Sequence, residues 1–497
     1  MGTPNGMQPA ATAATAATGP SSPAIPRPAL LAAIFLFNVI EFLSTGMTVL
    51  AAPAIMGHVG ASPEEYATVS ALYAAVAVLA ISQMTVLVQR LGWRNYLLGA
   101  VLCYMLGAWI CATSAGVAAF AGGRIVMALG GGVFMTASRM MVNLIPPSPQ
   151  RLQGIAAFGG ALSCGLALGP WIAAKLLGIE AWGAMFLLLA VLAALGALVT
   201  ARWLPVDAVT LDATPSRMHV ADIALLGLGA ALTLYALQHL TYDWHGERAP
   251  LLGHLALGVA LLGVFGLLHA RRTHPFLYLH ILDSARYRLG LVIYGVCYAM
   301  LGMVNTLLPQ SVQKGLGVGL EQAGELQGIG LLSTVIAFIV MLELVKRRPH
   351  PTKFYVTGFL MLALLGWRFA TLDPRAYAWD AVMLWMGLFG AFLTLGMATT
   401  AIHSFKDLQA DNVVFSNAQQ LKNMLGQAGL ALGVGATNIG LQERTALHLS
   451  RLGEKALDGG AELARQAALL ASQDLFWIVT WVGVAGAVLL ALQRRFD

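Results

Sequence analysis

Apolar residues in this chain come in long unbroken runs. They show neither the strict alternation of a half-buried strand nor the three-to-four spacing of a surface helix. Fourteen such runs lie near residues 29–55, 66–88, 95–117, 119–144, 152–178, 182–204, 220–241, 250–270, 289–312, 321–345, 353–372, 379–404, 412–440 and 475–493. The hydrocarbon core of a bilayer, about 30 Å thick, is crossed by roughly 20 apolar residues in a helix. Each run therefore predicts one crossing, and an even number of crossings puts both chain ends on one side.

The polar stretches complete the plan. Residues 1–27, rich in Ala, Thr, Pro, Ser and Gly, read as a disordered tail, with no basic start and short apolar core of a cleaved signal. The stretch 441–474 has spaced leucines and mixed charge. It reads as a solvated connector or as an amphipathic helix lying outside the bilayer. Composition agrees with the pattern: of 497 residues 58% are hydrophobic and 10% charged, against about a quarter charged in soluble domains. The fold class expected is an all-α integral membrane protein.

The formal net charge is +6, but the basic residues sit in short clusters between apolar runs, such as Arg90 with Arg94 and Arg271 with Arg272. Such clusters orient a chain in a bilayer and do not form a nucleic-acid surface. With the amino terminus inside, 18 of the 29 Lys and Arg fall in inner segments, so both termini are expected in the cytoplasm. Cys103, Cys111, Cys164 and Cys297 lie inside apolar runs with no CxxC spacing. Neither a disulfide framework nor a metal site is implied.

One short sequence occurs twice. Gly165-Leu166-Ala167-Leu168-Gly169, followed by Pro170, reappears as Gly429-Leu430-Ala431-Leu432-Gly433 in the thirteenth run. Glycines one turn apart let two membrane helices approach closely, and a proline behind them bends the helix. Pro53 near the end of the first run is matched by Pro309 near the end of the ninth. Two related halves follow, six helices each, with two linking helices between them. The boundaries expected are 28–206, 207–273 and 274–497, the last including the outer loop 441–474.

This layout resembles the major facilitator superfamily, specifically its fourteen-helix drug/proton antiporter branch (EmrB/QacA type), over roughly residues 29–495. Gly165, Gly169 and Pro170 look like the antiporter signature of the fifth helix. Arg90, Gly92 and Arg94 resemble the gating loop between helices two and three. Arg124 ahead of Gly130-Gly131-Gly132 is similar to the family's helix-four pattern, and Lys422 stands where the family usually has Arg. Two positions depart from it. Gln89 replaces the acidic residue of the gating loop, and Ser44 replaces the first-helix Asp, with Glu41 one turn earlier. The resemblance implies a 6 + 2 + 6 major-facilitator fold in a bacterial cytoplasmic (inner) membrane. It also implies alternating access, small-molecule substrates, protons as the coupling ion, and in Gram-negative cells a periplasmic adaptor protein.

Ionisable residues inside membrane helices mark ion or proton paths or structural pairs. Glu41 falls near the middle of the first run, Arg124 in the fourth and Lys422 in the thirteenth. Glu41 is the expected proton carrier and Arg124 its expected partner, with Lys422 a third cation of the site. Arg139 lies closer to the inner end and reads as an anchor or gate contact. Tyr298, Asn305, Gln238 and His239 read as polar glue between helices. The chain has no GxxxxGK[ST], HExxH or GxSxG, so neither an enzyme nor a cofactor is expected. The function expected is a proton-coupled exporter of small amphipathic drugs or other organic compounds, with the glycine notch of helix five joining the two halves. The alternatives are an exporter of an endogenous metabolite such as a siderophore, weakly or not proton-coupled, and a polytopic lipid-modifying enzyme.

Overall fold

A computed structural model describes residues 25–146, 148, 150–209, 217–240, 248–347, 350–409, 411–453 and 460–493. The expected tail 1–27 thus lies almost wholly outside the described residues, as does 454–459 of the loop 441–474.

Among the described residues, fourteen helical bodies follow one another: α1 (Arg27–Val59), α2 (Pro63–Leu91), α3 (Trp93–Thr113), α4 (Val117–Val142), α5 (Arg151–Gly178), α6 (Ala184–Trp203), α7 (Val220–His239), α8 (Arg248–His269), α9 (Ala285–Gly315), α10 (Leu320–Val345), α11 (Thr352–Ala370), α12 (Trp379–His403), α13 (Asn412–Gly453) and α14 (Gly460–Leu492). Twelve of them are long and apolar enough to cross a bilayer, and α11 and α13 fill the two remaining places. Their ends carry sequence-legible caps. Ser62 and Glu65 form a reciprocal capping box with Pro63 in the first turn of α2, and Ser284 caps α9 through the Tyr287 amide. Pro53 does not end the first helix; α1 runs through it to Val59.

The first and last described residues, Ile25 and Gln493, define one face of the bundle, called here the near face; the opposite one is the far face. Helices α1–α6 pack among themselves and α9–α14 likewise. The glycine notch sets one of these close contacts. A Cβ on Gly165 would lie 2.7 Å from Phe42 Cβ and 3.0 Å from the Val39 carbonyl, and one on Gly169 3.1 Å from Gly46 Cα. In the second half Gly429 stands in the same way against α9, at Gly295 and Tyr298. The repeated pentapeptide therefore marks α5 on α1 and α13 on α9, one contact in each half. This corrects the expected half-to-half role of Gly165 and Gly169. That junction uses the other face of α5, where Gly324 and Gly328 of α10 meet the Pro170 and Ala167 carbonyls at 3.0 Å, measured from an added Cβ.

Of the linking pair, α7 lies along α2 and α13, and α8 packs on α7. Its near-face end is fastened by Asp222. The carboxylate is fully buried and receives Arg272 at 3.0 and 3.2 Å and His269 Nδ1 at 2.8 Å. Because His269 Nε2 accepts the Leu277 amide, the ring proton sits on Nδ1 and is donated to Asp222.

The stretch 441–474 is neither a separate connector nor a separate helix. Its described parts are direct continuations of α13 and α14. With 42 residues α13 is roughly 63 Å long, twice what the bilayer core needs. The two extensions stand beyond the far face, joined by Asp474 with His448 at 3.1 Å and Arg444 at 3.5 Å.

Candidate functional site

Between the halves, at mid-depth, lies a cavity of about 440 Å³. Glu41, Phe42 and Thr45 of α1 line it together with Ile81 of α2, Gly132 and Met135 of α4, Tyr298 and Leu301 of α9, and Asn423, Gly426, Gln427 and Leu430 of α13. Both halves contribute, and Glu41 is the only carboxylate in the lining. Glu41 is the fifteenth of 33 residues of α1, which puts it roughly 21 Å along the helix.

Glu41 meets its partner across the junction. Gln427 Nε2 of α13 donates to Glu41 Oε1 at 3.3 Å. Arg124 does not pair with Glu41; its guanidinium lies over the Tyr73 ring at 3.9 Å and donates to Met127 Sδ at 3.7 Å. Lys422 is buried on another side of α13, its ammonium 4.9 Å from the centre of the Tyr294 ring. The three ionisable residues singled out in the sequence are thus distributed around the cavity and not gathered into one cluster. Ser44 is buried and takes no part in the lining.

Further hydrogen bonds sew the halves together around this cavity. Asn423 Nδ2 donates to Thr136 Oγ1 at 2.6 Å, Gln420 Nε2 to Thr85 Oγ1 at 2.6 Å, and Tyr298 Oη to Met135 Sδ at 3.4 Å. Sequence reasoning missed Gln427, Asn423 and Gln420. The signal available was an unusual density of amides in a membrane helix, Asn417 to Gln427, since a polar side chain there is satisfied by another helix. Tyr298 belongs to the lining and is more than glue, whereas Asn305 is bonded by Gln327 at 3.0 Å and His239 lies 3.0 Å from Thr68.

The kink of α4 aims its near-face end. The helix breaks between Gly131 and Phe134, where the glycine triplet lets Tyr104 and Ala77 come close, and the piece Phe134–Val142 is buried throughout. It carries Met135 and Arg139 into a second cavity of about 560 Å³, nearer the near face and sharing Met135 with the first. On the far face, Lys175 at the end of α5 lies 2.8 Å from Glu321 and 2.6 Å from Glu325 at the start of α10. Space therefore extends from mid-depth toward the near face and is capped by charge pairs on the far one.

The gating loop rests within its own half. Gly92 has φ +77°, a conformation side chains disfavour, and an added Cβ would lie 2.7 Å from Val206. The Arg94 amide donates to the Val206 carbonyl at 3.1 Å. Arg90 is exposed and Gln89 half-buried. Among the described residues, no three His, Cys, Asp or Glu come together as metal ligands.

Comparison with known proteins agrees with this arrangement. The multidrug resistance proteins provisionally named MdtD are similar to the chain along most of its length. That of Pectobacterium atrosepticum is 24% identical, covering 79% of this chain and 84% of its own. That of Cronobacter sakazakii is 25% identical, covering 79% and 83%. Among solved structures, the human organic anion transporter MFSD10 (TETRAN) superposes with a TM-score of 0.58 at 17% identity, over 92% of this chain and 99% of that one. An auto-inhibited POT family peptide transporter gives 0.57 at 17%, over 94% and 98%. The sequence model of the Major Facilitator Superfamily matches residues 34–433, and the chain, a multi-pass membrane protein with fourteen helices as 6 + 2 + 6, belongs to that superfamily.

Proposed function

We propose that this protein is an efflux transporter, exporting small amphipathic drugs or other organic compounds in exchange for protons, and not an enzyme. The observation that carries the reading is the single carboxylate of the mid-depth cavity, Glu41, held by an amide from the opposite half. A carboxyl group at that depth is costly unless it is used, and one bonded across the junction feels every movement of the halves. The multidrug resistance names of the similar proteins support the same direction of transport.

In the mechanism, the six-helix bundles 28–206 and 274–497 rock about the cavity, and 207–273 ties them on one flank. With the far face open, Glu41 takes a proton. With the near face open, Glu41 releases the proton as the substrate enters, and the substrate leaves on the next turn. Arg124 and Lys422 set the potential around the cavity, and the loop of Gln89, Arg90, Gly92 and Arg94 works at the near face. The basic segments support a near face and both termini in the cytoplasm; in a bacterial inner membrane the far face then looks into the periplasm. A periplasmic adaptor would meet the projecting ends of α13 and α14.

The test is transport in inverted membrane vesicles, using a panel of neutral, cationic and anionic amphipathic dyes. The parent is expected to accumulate members of the panel under an imposed pH difference and to stop when a protonophore collapses it. Glu41→Gln is expected to lose that accumulation; pumping at the parent's rate by this variant overturns the reading.

A further inference from the structure

The near-face cavity has an uncompensated charge. Of the residues around its roughly 560 Å³, nearly all are apolar, among them Phe158, Leu162, Phe338 and Met397. Two polar groups face this space without partners. Arg139 is 6% exposed, and its Nη1 is buried with no hydrogen bond. Ser163 is 1% exposed, and its Oγ is likewise buried and unbonded. Beside Arg139 stand aromatic rings, Phe415 at 5.2 Å from its guanidinium and Tyr294 in the cavity wall, and a further cation, Arg151. Lys422, 1% exposed, lies 4.9 Å from the centre of that tyrosine's ring.

A buried guanidinium needs an anion or a set of acceptors, and an orphaned donor in a dry site costs free energy until it is met. None of the residues around this cavity supplies a carboxylate. Unmet donors in an apolar lining are what a ligand pocket for an anion requires. Arginine offers two parallel N–H groups to a carboxylate or sulfonate, and the Ser163 hydroxyl can supply a third.

We infer that the near-face cavity is a binding site for an anionic amphiphile, a carboxylate or sulfonate on a hydrophobic body, whose charged group docks on Arg139 and Ser163. The inference rests on the efflux reading for its direction of transport and narrows the substrate class of the same path. The anion enters from the near face with its apolar body against Phe158 and Phe338. Lys422 adds a further positive charge beside Tyr294, so a cationic amphiphile of equal size is disfavoured.

The test uses the full chain in nanodiscs of phosphatidylcholine and two probes with the same ring, 1-naphthaleneacetate and 1-naphthylethylammonium. The parent is expected to bind the acid at least tenfold more tightly than the amine. Arg139→Gln should lose that preference, Arg139→Lys should keep part of it, and Ser163→Ala should weaken the acid alone by several-fold. Thermal melting of each variant separates lost binding from lost folding, and a charge-retaining Arg139→Lys that folds keeps the comparison decisive if Arg139→Gln does not. Adding phosphatidylglycerol distinguishes the source of the anion: displacement of the acid assigns the site to a lipid headgroup, and no displacement assigns it to a solute. Equal binding of acid and amine by the parent, or an unchanged preference in folded Arg139→Gln, overturns the inference. Export of neutral or cationic dyes with no acid preference would remove this site and leave the efflux reading standing. Acid binding without export of any dye would do the reverse.

Discussion

Gln427 on α13 donates to Glu41 on α1 at 3.3 Å, so the one carboxylate of the mid-depth cavity is held by a residue from the other half of the molecule. A hydrogen bond spanning two bodies that move apart reports on their position. When the halves separate at this level it breaks, and the carboxyl group exchanges an amide for water or substrate.

Replacing Gln427 by Leu removes that bond and leaves an apolar side chain of similar size. A hydrogen bond to a charged group contributes about 1.5–3 kcal/mol, which corresponds to a roughly ten- to hundredfold loss when it acts in the working cycle. Gln427→Leu is therefore expected to cut proton-driven accumulation in inverted vesicles by at least tenfold with little change in melting temperature. Gln427→Glu, which puts a second carboxyl group beside the first, should be at least as impaired. Parent-level accumulation by Gln427→Leu would take the bond out of the mechanism.

The two glycine notches make separable predictions. Gly169 is enclosed by backbone of α1, with an added Cβ 3.1 Å from Gly46 Cα and from the Leu43 carbonyl. Gly169→Leu overpacks a contact inside one half, where such changes cost about 1–3 kcal/mol or more, so both stability and transport should fall. Gly324 belongs to α10, and an added Cβ there would lie 2.9 Å from Leu50 and 3.0 Å from the Pro170 carbonyl across the junction. Gly324→Leu should leave each half folded while preventing the far face from closing. The expected sign is a near-parent melting temperature with permanent reaction of a cysteine probe at the buried junction position 174 with an impermeant maleimide. A probe protected as in the parent would show that α5 and α10 are not the closing surfaces.

How far the sequence could be read depended on what each signal measures. Run length counts crossings, and the runs ending near 440 and beginning near 475 were rightly separated. It does not say where a helix stops once it leaves the bilayer, so the described parts of 441–474 turned out to be extensions of α13 and α14. Glycine spacing measures how near two helices come and not which two, so the notch at Gly165 and Gly169 was legible while its partner α1 was not. Distance from the ends of a run gives depth. It put Glu41 near mid-depth; Arg124 was paired with it only through the resemblance, which has helices one and four line the cavity, and neither signal gives rotation, so Arg124 turned to Tyr73. Lys422 and Gln427 are five residues apart, roughly 140° around a helix. Only one of them could face Glu41, and the neutral amide does.

The Asp222 fastening predicts a stability effect distinct from transport. Its carboxylate has no exposure and, among the described residues, is satisfied by Arg272 and His269, and removing one partner of a buried charge is costly. Asp222 in turn pushes the pKa of Arg272 upward through its hydrogen bonds. Arg272→Gln should lower the melting temperature by a few degrees, while the double change Asp222→Asn with Arg272→Gln should recover part of the loss because no charge is left buried. An equal or deeper loss in the double variant would mean that the linker is held by something else.

The far-face clamp gives the last prediction. Lys175 bridges to Glu321 and Glu325, from α5 of one half to the first two turns of α10 of the other, with all three side chains partly exposed. Exposed pairs contribute little to folding and are screened by salt, so their removal should leave the melting temperature nearly unchanged. What they can bias is the balance between two arrangements of the halves, since the bridges exist only when the far face is closed and the energy gap between such states is small. Glu321→Gln with Glu325→Gln should therefore raise the population with the far face open. Spin labels at positions 179 and 319 should report a longer-distance component that grows from parent to double variant, and that also grows in the parent at high salt. If the distance distribution is unmoved by both the substitutions and the salt, the Gly324 and Gly328 packing alone closes the far face.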